Sequence, residues 1–337
     1  MAQSLQVGII GAGWPGTAHA KGYSEAGGYK VAAVADLIPA RRKQLMQASG
    51  ATREYADANE LIADKEIDVV SICLPNHLHA STTLSALKSG KHVCCEKPPT
   101  LDAREAKKIE AAASKSGKSV IYAFQRRFGG AELAAKAAID KGYAGEIYHA
   151  RASWMRTRGV PQGTGWYTDK TKSGGGAMID LGSHMLDLAW HLLGQPKPKS
   201  VYAIAHSKFV KEIDDCSIAL ITFEGGKTLE LATSWAINQP PQQQGMLCRL
   251  HGDKAAVDVY TSHGAVIHRN FEAKGQSSPT TLKPPRVVGH AAMFRHFKQC
   301  IAGEIQPQIG ASQGVMLMRI IDAVYKSAAS GKSVEVK

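Results

Sequence analysis

The feature that most constrains the fold is a glycine turn set between a strand and a helix. Leu5–Ile10 is a short apolar run, Gly11-Ala12-Gly13-Trp14-Pro15-Gly16 follows it directly, and a helical stretch continues to about Ala26. Glycines at such a junction permit a tight turn and let backbone N–H groups approach a pyrophosphate at the helix N-terminus. A second strand, Val31–Ala35, ends at Asp36, twenty residues past Gly16. That is where a carboxylate can hold a ribose 2′-hydroxyl. The alternation continues through a strand at Ile67–Leu74, a helix to Leu87 stopped by Gly90, and a strand at His92–Cys95. It ends with a helix at Ala103–Ser116, capped by Asp102 and closed by Gly117, and a strand at Val120–Phe124. Strands separated by single helices pair in parallel, so residues 1–124 are expected to form a doubly wound sheet.

After Gly130 the grammar changes. A helix at Glu132–Asp140 leads to a long strand near Glu146–Arg156, a polar loop, and a helix over about Ala177–Leu193. Strands then follow one another with tight turns, at Val201–Ser207, Ser217–Phe223, Lys227–Ile237, Met246–His251, Ala255–Tyr260 and Ala265–His268. Successive hairpins predict an antiparallel sheet, so 125–337 is expected to be an α+β domain. Helices near Ala291–Ala302 and Gln313–Ser330 close the chain, the last of them able to pack back on the first domain.

Composition narrows the function classes. Lys plus Arg is 41 and Asp plus Glu 29, a formal charge of +12, but the basic residues are scattered as pairs such as Arg126-Arg127, with no basic tail. Nucleic-acid binding needs a clustered basic face and a recognisable module, so none is expected. No run approaches the roughly 20 apolar residues of a membrane span, and the N-terminus lacks a secretory pattern. Six cysteines give no disulfide framework and no Cys-x-x-Cys pair, so the expectation is a soluble, cytoplasmic protein without a structural metal.

Four motifs carry chemistry. The glycine turn with Asp36 fits a dinucleotide; the carboxylate repels a 2′-phosphate and favours NAD, while Arg41 and Arg42 leave NADP open. Leu74-Pro75-Asn76-His77-Leu78-His79 lies just beyond a strand end, where the ligand crevice of an open α/β sheet forms; a loop against the cofactor is favoured over a metal set of Cys73, His77 and His79. Cys95-Glu96-Lys97-Pro98 also follows a strand, and its charges are either a solvated exit or groups aimed into the crevice, where an ammonium can favour an alkoxide. The fourth is the run Gly174–Asp187. On a helix, Asp180, His184, Asp187 and His191 form one narrow polar stripe between two apolar ones. Asp180 at i and His184 at i+4 can hydrogen-bond, and His184 is the natural general base; the competing reading is a structural polar face.

Together, GAGWPG at 11–16, LPNHLH at 74–79, CEKP at 95–98, QRRF at 125–128 and GGGAMIDLGSHMLD at 174–187 resemble the Gfo/Idh/MocA family over nearly the whole chain. The family is named for glucose–fructose oxidoreductase, inositol dehydrogenase and a rhizopine-catabolism protein. The resemblance implies a Rossmann domain, a second domain whose open sheet serves homodimer or homotetramer contacts, and nicotinamide-dependent chemistry on a sugar or polyol. By motif match, Lys97, Asp180 and His184 fall on catalytic positions. Cofactor contacts are expected at Gly11, Gly13, Trp14, Pro15, Gly16, Asp36, Arg41, Leu74, Pro75, Asn76, His79, Glu96, Lys97, Gln125 and Trp166. Gln125 departs from the Asn that many members carry there.

In the reaction this implies, His184 takes a hydroxyl proton, Lys97 stabilises the alkoxide, and Asp180 positions His184 or a neighbouring hydroxyl. Substrate contacts are expected at Lys97, Arg126, Trp154, Arg156, Arg158, Tyr167, Asp180 and His184, since aromatics stack on sugar rings and arginines fork onto hydroxyls or anions. A solvated basic loop is the alternative for the segment around Arg158. Two rival functions share these residues: redox-neutral, NAD-dependent glycoside cleavage, and a non-catalytic sugar-pathway regulator.

Overall fold

A computed structural model describes residues 4–159, 165–269 and 279–337. The chain divides into two compact units, one of Met1–Gln125 with Val287–Met318, the other of Arg126–Arg286 with Arg319–Lys337.

The first unit holds six parallel strands, β1 (Leu5–Ile10), β2 (Tyr29–Ala35), β3 (Arg53–Tyr55), β4 (Val69–Ile72), β5 (His92–Cys95) and β6 (Val120–Tyr122), in the order β3-β2-β1-β4-β5-β6. This is the Rossmann order, with its switch point between β1 and β4. The central strands are apolar on both faces, and Val7, Ile9, Val69, Val70 and Ile72 are completely buried because helices cover both sides of the sheet. The edge strand β3 and the helix Ala58–Ala63 were not expected from the sequence; three residues of polar Arg-Glu-Tyr give no strand period. The chain returns to this unit late. The helix Gly289–Ile301 packs on the helix Trp14–Ala26, where Phe294 stacks on Tyr23 at 3.6 Å. Gly22 permits that approach, since a Cβ there would lie 2.6 Å from His290 Cβ.

The second unit is a nine-stranded sheet: β7 (Ile147–Met155), β8 (Pro198–His206), β9 (Cys216–Phe223), β10 (Thr228–Ser234), β11 (Gly245–Gly252), β12 (Ala256–Thr261), β13 (Gly264–His268), β14 (Thr280–Thr281) and β15 (Val334–Glu335). Its order is β14-β13-β12-β11-β7-β10-β9-β8-β15, antiparallel except for β7 with β10. A hairpin cannot make that parallel pair; the helical crossover after β7 does. Alternation along β8 and β9 buries Val201, Ala203, Ala219 and Ile221 and exposes Tyr202, Ile204, Ile218 and Leu220 on the other face. The predicted single helix over Ala177–Leu193 is instead a π-turn, Met178–Gly182, followed by an α-helix, Ser183–Leu192. Among the described residues no helix is long and apolar enough to cross a membrane.

Candidate active site

In the first unit the glycines of the turn divide their work. Gly11 has φ +97° and a Cβ there would lie 2.2 Å from the Cys73 carbonyl oxygen; a Cβ on Gly16 would meet the Gly11 carbonyl oxygen at 2.1 Å. These two close the turn and seat the helix. Gly13 has no such neighbour, the nearest atom being Pro15 Cδ at 3.8 Å. Its missing side chain leaves open surface at a helix start with no acidic residue and no side-chain cap, which is where a pyrophosphate binds. Trp14 stands exposed beside it. Asp36, just past β2, accepts the Ala12 N–H on Oδ2 and the Ile38 N–H on Oδ1, each at 2.8 Å. Both oxygens keep a lone pair for ribose hydroxyls. Arg42 is committed to the Asp36 carbonyl oxygen at 2.7 Å and to Glu54 at 2.8 Å, whereas Arg41 is exposed. These groups fit an NAD-type dinucleotide.

Beyond β4, Leu74 and Pro75 lead to Asn76, which is buried. His79 is fully buried, with Nδ1 2.7 Å from the Pro98 carbonyl oxygen and Nε2 2.8 Å from that of Leu74. The ring thus sits between the loop after β4 and the loop after β5; burial lowers its pKa, and the neutral ring donates to one of the two carbonyls. Past β5, Glu96 accepts the Lys97 N–H on Oε2 at 3.1 Å and meets His19 Nε2 through Oε1 at 3.1 Å. Burial opposes its charge, but the His19 bond and the nearby Lys97 and His290 bring its carboxyl below the usual range. Ligand-type atoms of His19, Glu96 and His290 all lie within 4.8 Å of one another, a set that could hold a metal. Residues so far apart in the chain leave no spacing signal. Gln125 has a buried Oε1 with no hydrogen-bond partner among the described residues.

The second unit assembles a different group. The Trp154 ring, on β7, lies 5.7 Å from the His184 ring and carries the Arg156 guanidinium at 4.9 Å and that of Arg126 at 5.5 Å. Asp180 sits within the π-turn, a distortion frequent at functional sites, and its Oδ2 accepts the Trp235 Nε1–H at 2.9 Å. Trp235 is completely buried against Ala177, Leu181 and Ile213, so it fixes the carboxylate from below. Trp166 stacks on Tyr167 at 3.8 Å, and Arg158 is exposed.

The rest of the predicted stripe serves the fold. Arg127 grips Asp187 with two bonds, Nε to Oδ2 at 2.8 Å and Nη2 to Oδ1 at 2.6 Å, and donates from Nη1 to His191 Nδ1 at 3.3 Å. The ion pair is entirely buried, and burial raises the Asp187 carboxyl against the pull of Arg127. The glycine run before the π-turn is structural too. Asp214 accepts the Gly176 and Met178 N–H groups at 2.8 and 2.7 Å and the Tyr325 hydroxyl at 2.9 Å. A Cβ on Gly176 would lie 1.7 Å from the Asp214 carbonyl oxygen, and one on Gly175 2.1 Å from the Tyr325 hydroxyl. Sequence places Arg127 in the QRRF motif without its partner and gives no sign of Asp214, Trp235 or Tyr325; the glycine run marks a close approach without naming what approaches.

Residues 5–124 match the oxidoreductase family model described as an NAD-binding Rossmann fold (GFO_IDH_MocA), and residues 136–336 match its C-terminal alpha/beta domain. The chain is 31% identical to D-glucoside 3-dehydrogenase of Escherichia coli (strain K12), covering 98% of this chain and 97% of the relative. It is 27% identical to inositol 2-dehydrogenase of Rhizobium meliloti (strain 1021), with 99% of each covered. A levoglucosan dehydrogenase solved with NADH and levoglucosan superposes with a TM-score of 0.91 at 23% identity, over 99% of this chain and 100% of that one.

Proposed function

Since the chain belongs to the Gfo/Idh/MocA oxidoreductase family, whose first domain binds NAD, we propose that it transfers hydride between a nicotinamide and a secondary alcohol or ketone of a sugar, polyol or sugar derivative. The observation that carries this reading is the group in the second unit. A buried histidine, His184, faces an indole, Trp154, suited to a sugar ring, beside a carboxylate, Asp180, locked by Trp235. The relatives named for glucosides and inositol support the same substrate class.

When bound, the nicotinamide supplies the two-electron acceptor or donor. Gly13 and the helix start hold the pyrophosphate, and Asp36 holds the adenosine ribose, which favours NAD over NADP. His184 takes the hydroxyl proton in oxidation and returns it in reduction, work that an imidazole does near neutral pH. Lys97 stabilises the developing alkoxide with its ammonium. Asp180 orients His184 or an adjacent hydroxyl, and Trp235 prevents the carboxylate from turning away. Arg126 and Arg156, both against Trp154, extend the substrate class to acidic or phosphorylated sugars.

The exposed Tyr202, Ile204, Ile218 and Leu220 on one face of the sheet suit a second copy of the chain, giving a homodimer or homotetramer. Cytoplasmic residence agrees with six free thiols.

The test is reduction of NAD and NADP across a panel of sugars, inositols, sugar acids, anhydrosugars and sugar phosphates, followed at the nicotinamide absorbance. Turnover with one class is the expected result. No turnover in either direction, with no NADH binding, would overturn the assignment. Light scattering at several concentrations reads the oligomeric state.

A further inference from the structure

His19 lies one turn into the helix Trp14–Ala26, completely buried, on the same unit as the proposed cofactor groups. Its ring is walled by Phe294 at 5.3 Å, Tyr23 at 6.5 Å and His290 at 5.5 Å. Both nitrogens are engaged. Nδ1 is 2.6 Å from Ser71 Oγ on β4, and Nε2 is 3.1 Å from Glu96 Oε1 beyond β5. The Tyr23 hydroxyl reaches Ser71 Oγ at 3.4 Å.

Proton counting fixes the direction of the bond to Glu96. A carboxylate only accepts, so the contact with Glu96 requires the proton on Nε2. On the other side of the ring, Nδ1 faces Ser71 Oγ at 2.6 Å and Cys73 Sγ at 3.5 Å. The reverse polarity would set the Nε2 lone pair against a carboxylate oxygen at 3.1 Å in a buried site, which is repulsive. The other carboxylate oxygen receives the Lys97 N–H. Glu96 therefore accepts from two sides, from the His19 Nε2–H on Oε1 and from the Lys97 N–H on Oε2, while behind the ring the Tyr23 hydroxyl donates to Ser71 Oγ.

We propose that His19 is a positioning residue: through its Nε2–H it holds the Glu96 carboxylate in one rotamer, and through Glu96 it sets the backbone from which Lys97 acts. The inference rests on the assignment of Glu96 and Lys97 to the cofactor and the alkoxide. His19 itself touches neither substrate nor cofactor. Sequence alone gives no sign of it, because His19, Ser71 and Glu96 come from three separate elements and meet only at the carboxyl edge of the sheet.

The test compares His19→Gln, His19→Asn and His19→Leu in the full-length protein. The Gln amide nitrogen reaches the place of Nε2 and can donate to Glu96; the Asn amide reaches only the Nδ1 side. NADH affinity is read by fluorescence titration, KM for NAD and kcat by steady-state assay, and folding by Tm. Expected for His19→Leu is a roughly 10- to 100-fold loss in kcat/KM, the range of a hydrogen bond to a charged group. His19→Gln should recover most of it and His19→Asn little. Equal losses in the Gln and Asn variants would overturn the proposal and leave His19 as packing. Should His19→Leu fail to fold, the Gln and Asn variants carry the comparison, and Ser71→Ala, which removes the hydroxyl facing Nδ1, is expected to lower kcat/KM by a smaller factor. A wild-type protein that binds no NADH would overturn the functional assignment first, and this inference with it; normal wild-type binding with the wrong variant pattern overturns this inference alone.

Discussion

Asp187→Ala separates the two halves of the helix that carries His184. Arg127 and Asp187 are both completely buried and joined by two bonds of 2.6–2.8 Å. Removing the carboxylate strands a guanidinium where water cannot reach it, and breaking a buried pair from one side costs roughly 3–5 kcal/mol. With about 2–4 °C of Tm per kcal/mol for a domain of this size, the second unit should melt roughly 6–20 °C lower. The assay is calorimetry with a parallel urea titration. The double variant Arg127→Met/Asp187→Leu should recover most of the loss, since an apolar pair of similar volume is often neutral or better than a buried ion pair. His184→Asn, three residues before Asp187 on the same helix, should leave Tm almost unchanged. A cost below about 1 kcal/mol for Asp187→Ala, the value of an exposed pair, would refute the argument that this pair anchors the helix.

Further predictions follow from the site. His184→Asn should lower kcat by about 10²–10⁴, the contribution of a general base; turnover within a few-fold of wild type would remove His184 from that role. Gly13→Ala should fold normally yet bind NADH at least about 10-fold more weakly, because the new Cβ fills open surface where a pyrophosphate approaches, whereas Gly11→Ala should compromise folding itself through its positive φ and the Cys73 carbonyl oxygen 2.2 Å away. Equal NADH binding in Gly13→Ala and wild type would count against the cradle. Asp36→Ala should raise KM for NAD and narrow the preference over NADP, read as a ratio of kcat/KM values. Burial pushes His92 and His290 down to about 4, with Lys118 adding to the first and His19 to the second. The unfolded rings, near 6.5, take up protons that the folded state refuses, so stability is full above pH 6.5 and is lost as pH falls toward 4. A Tm that stays flat over that interval, or that falls identically in His290→Gln, would contradict this.

Much of the fold was legible because its signals are local. Glycine at the ends of strands and helices, apolar runs, and the switch from alternating helices to consecutive strands need no distant partner, and they located the first sheet and the mostly antiparallel second one. The short polar strand β3 escaped because three residues carry no period. The parallel pairing of β7 with β10 escaped because pairing sense depends on where the crossover helix sends the chain.

The site divides along the same line. Local pattern places the motifs at strand ends, where a doubly wound sheet forms its crevice, and puts Asp180, His184, Asp187 and His191 on one helical stripe. What each of them does depends on tertiary packing. Asp187 and His191 meet an arginine 60 or more residues away, Asp180 meets Trp235 at a separation of 55, and Glu96 meets His19 at 77. A side chain's chemistry follows from the group packed against it. That group is chosen by how sheets and helices close on one another, which no local period records.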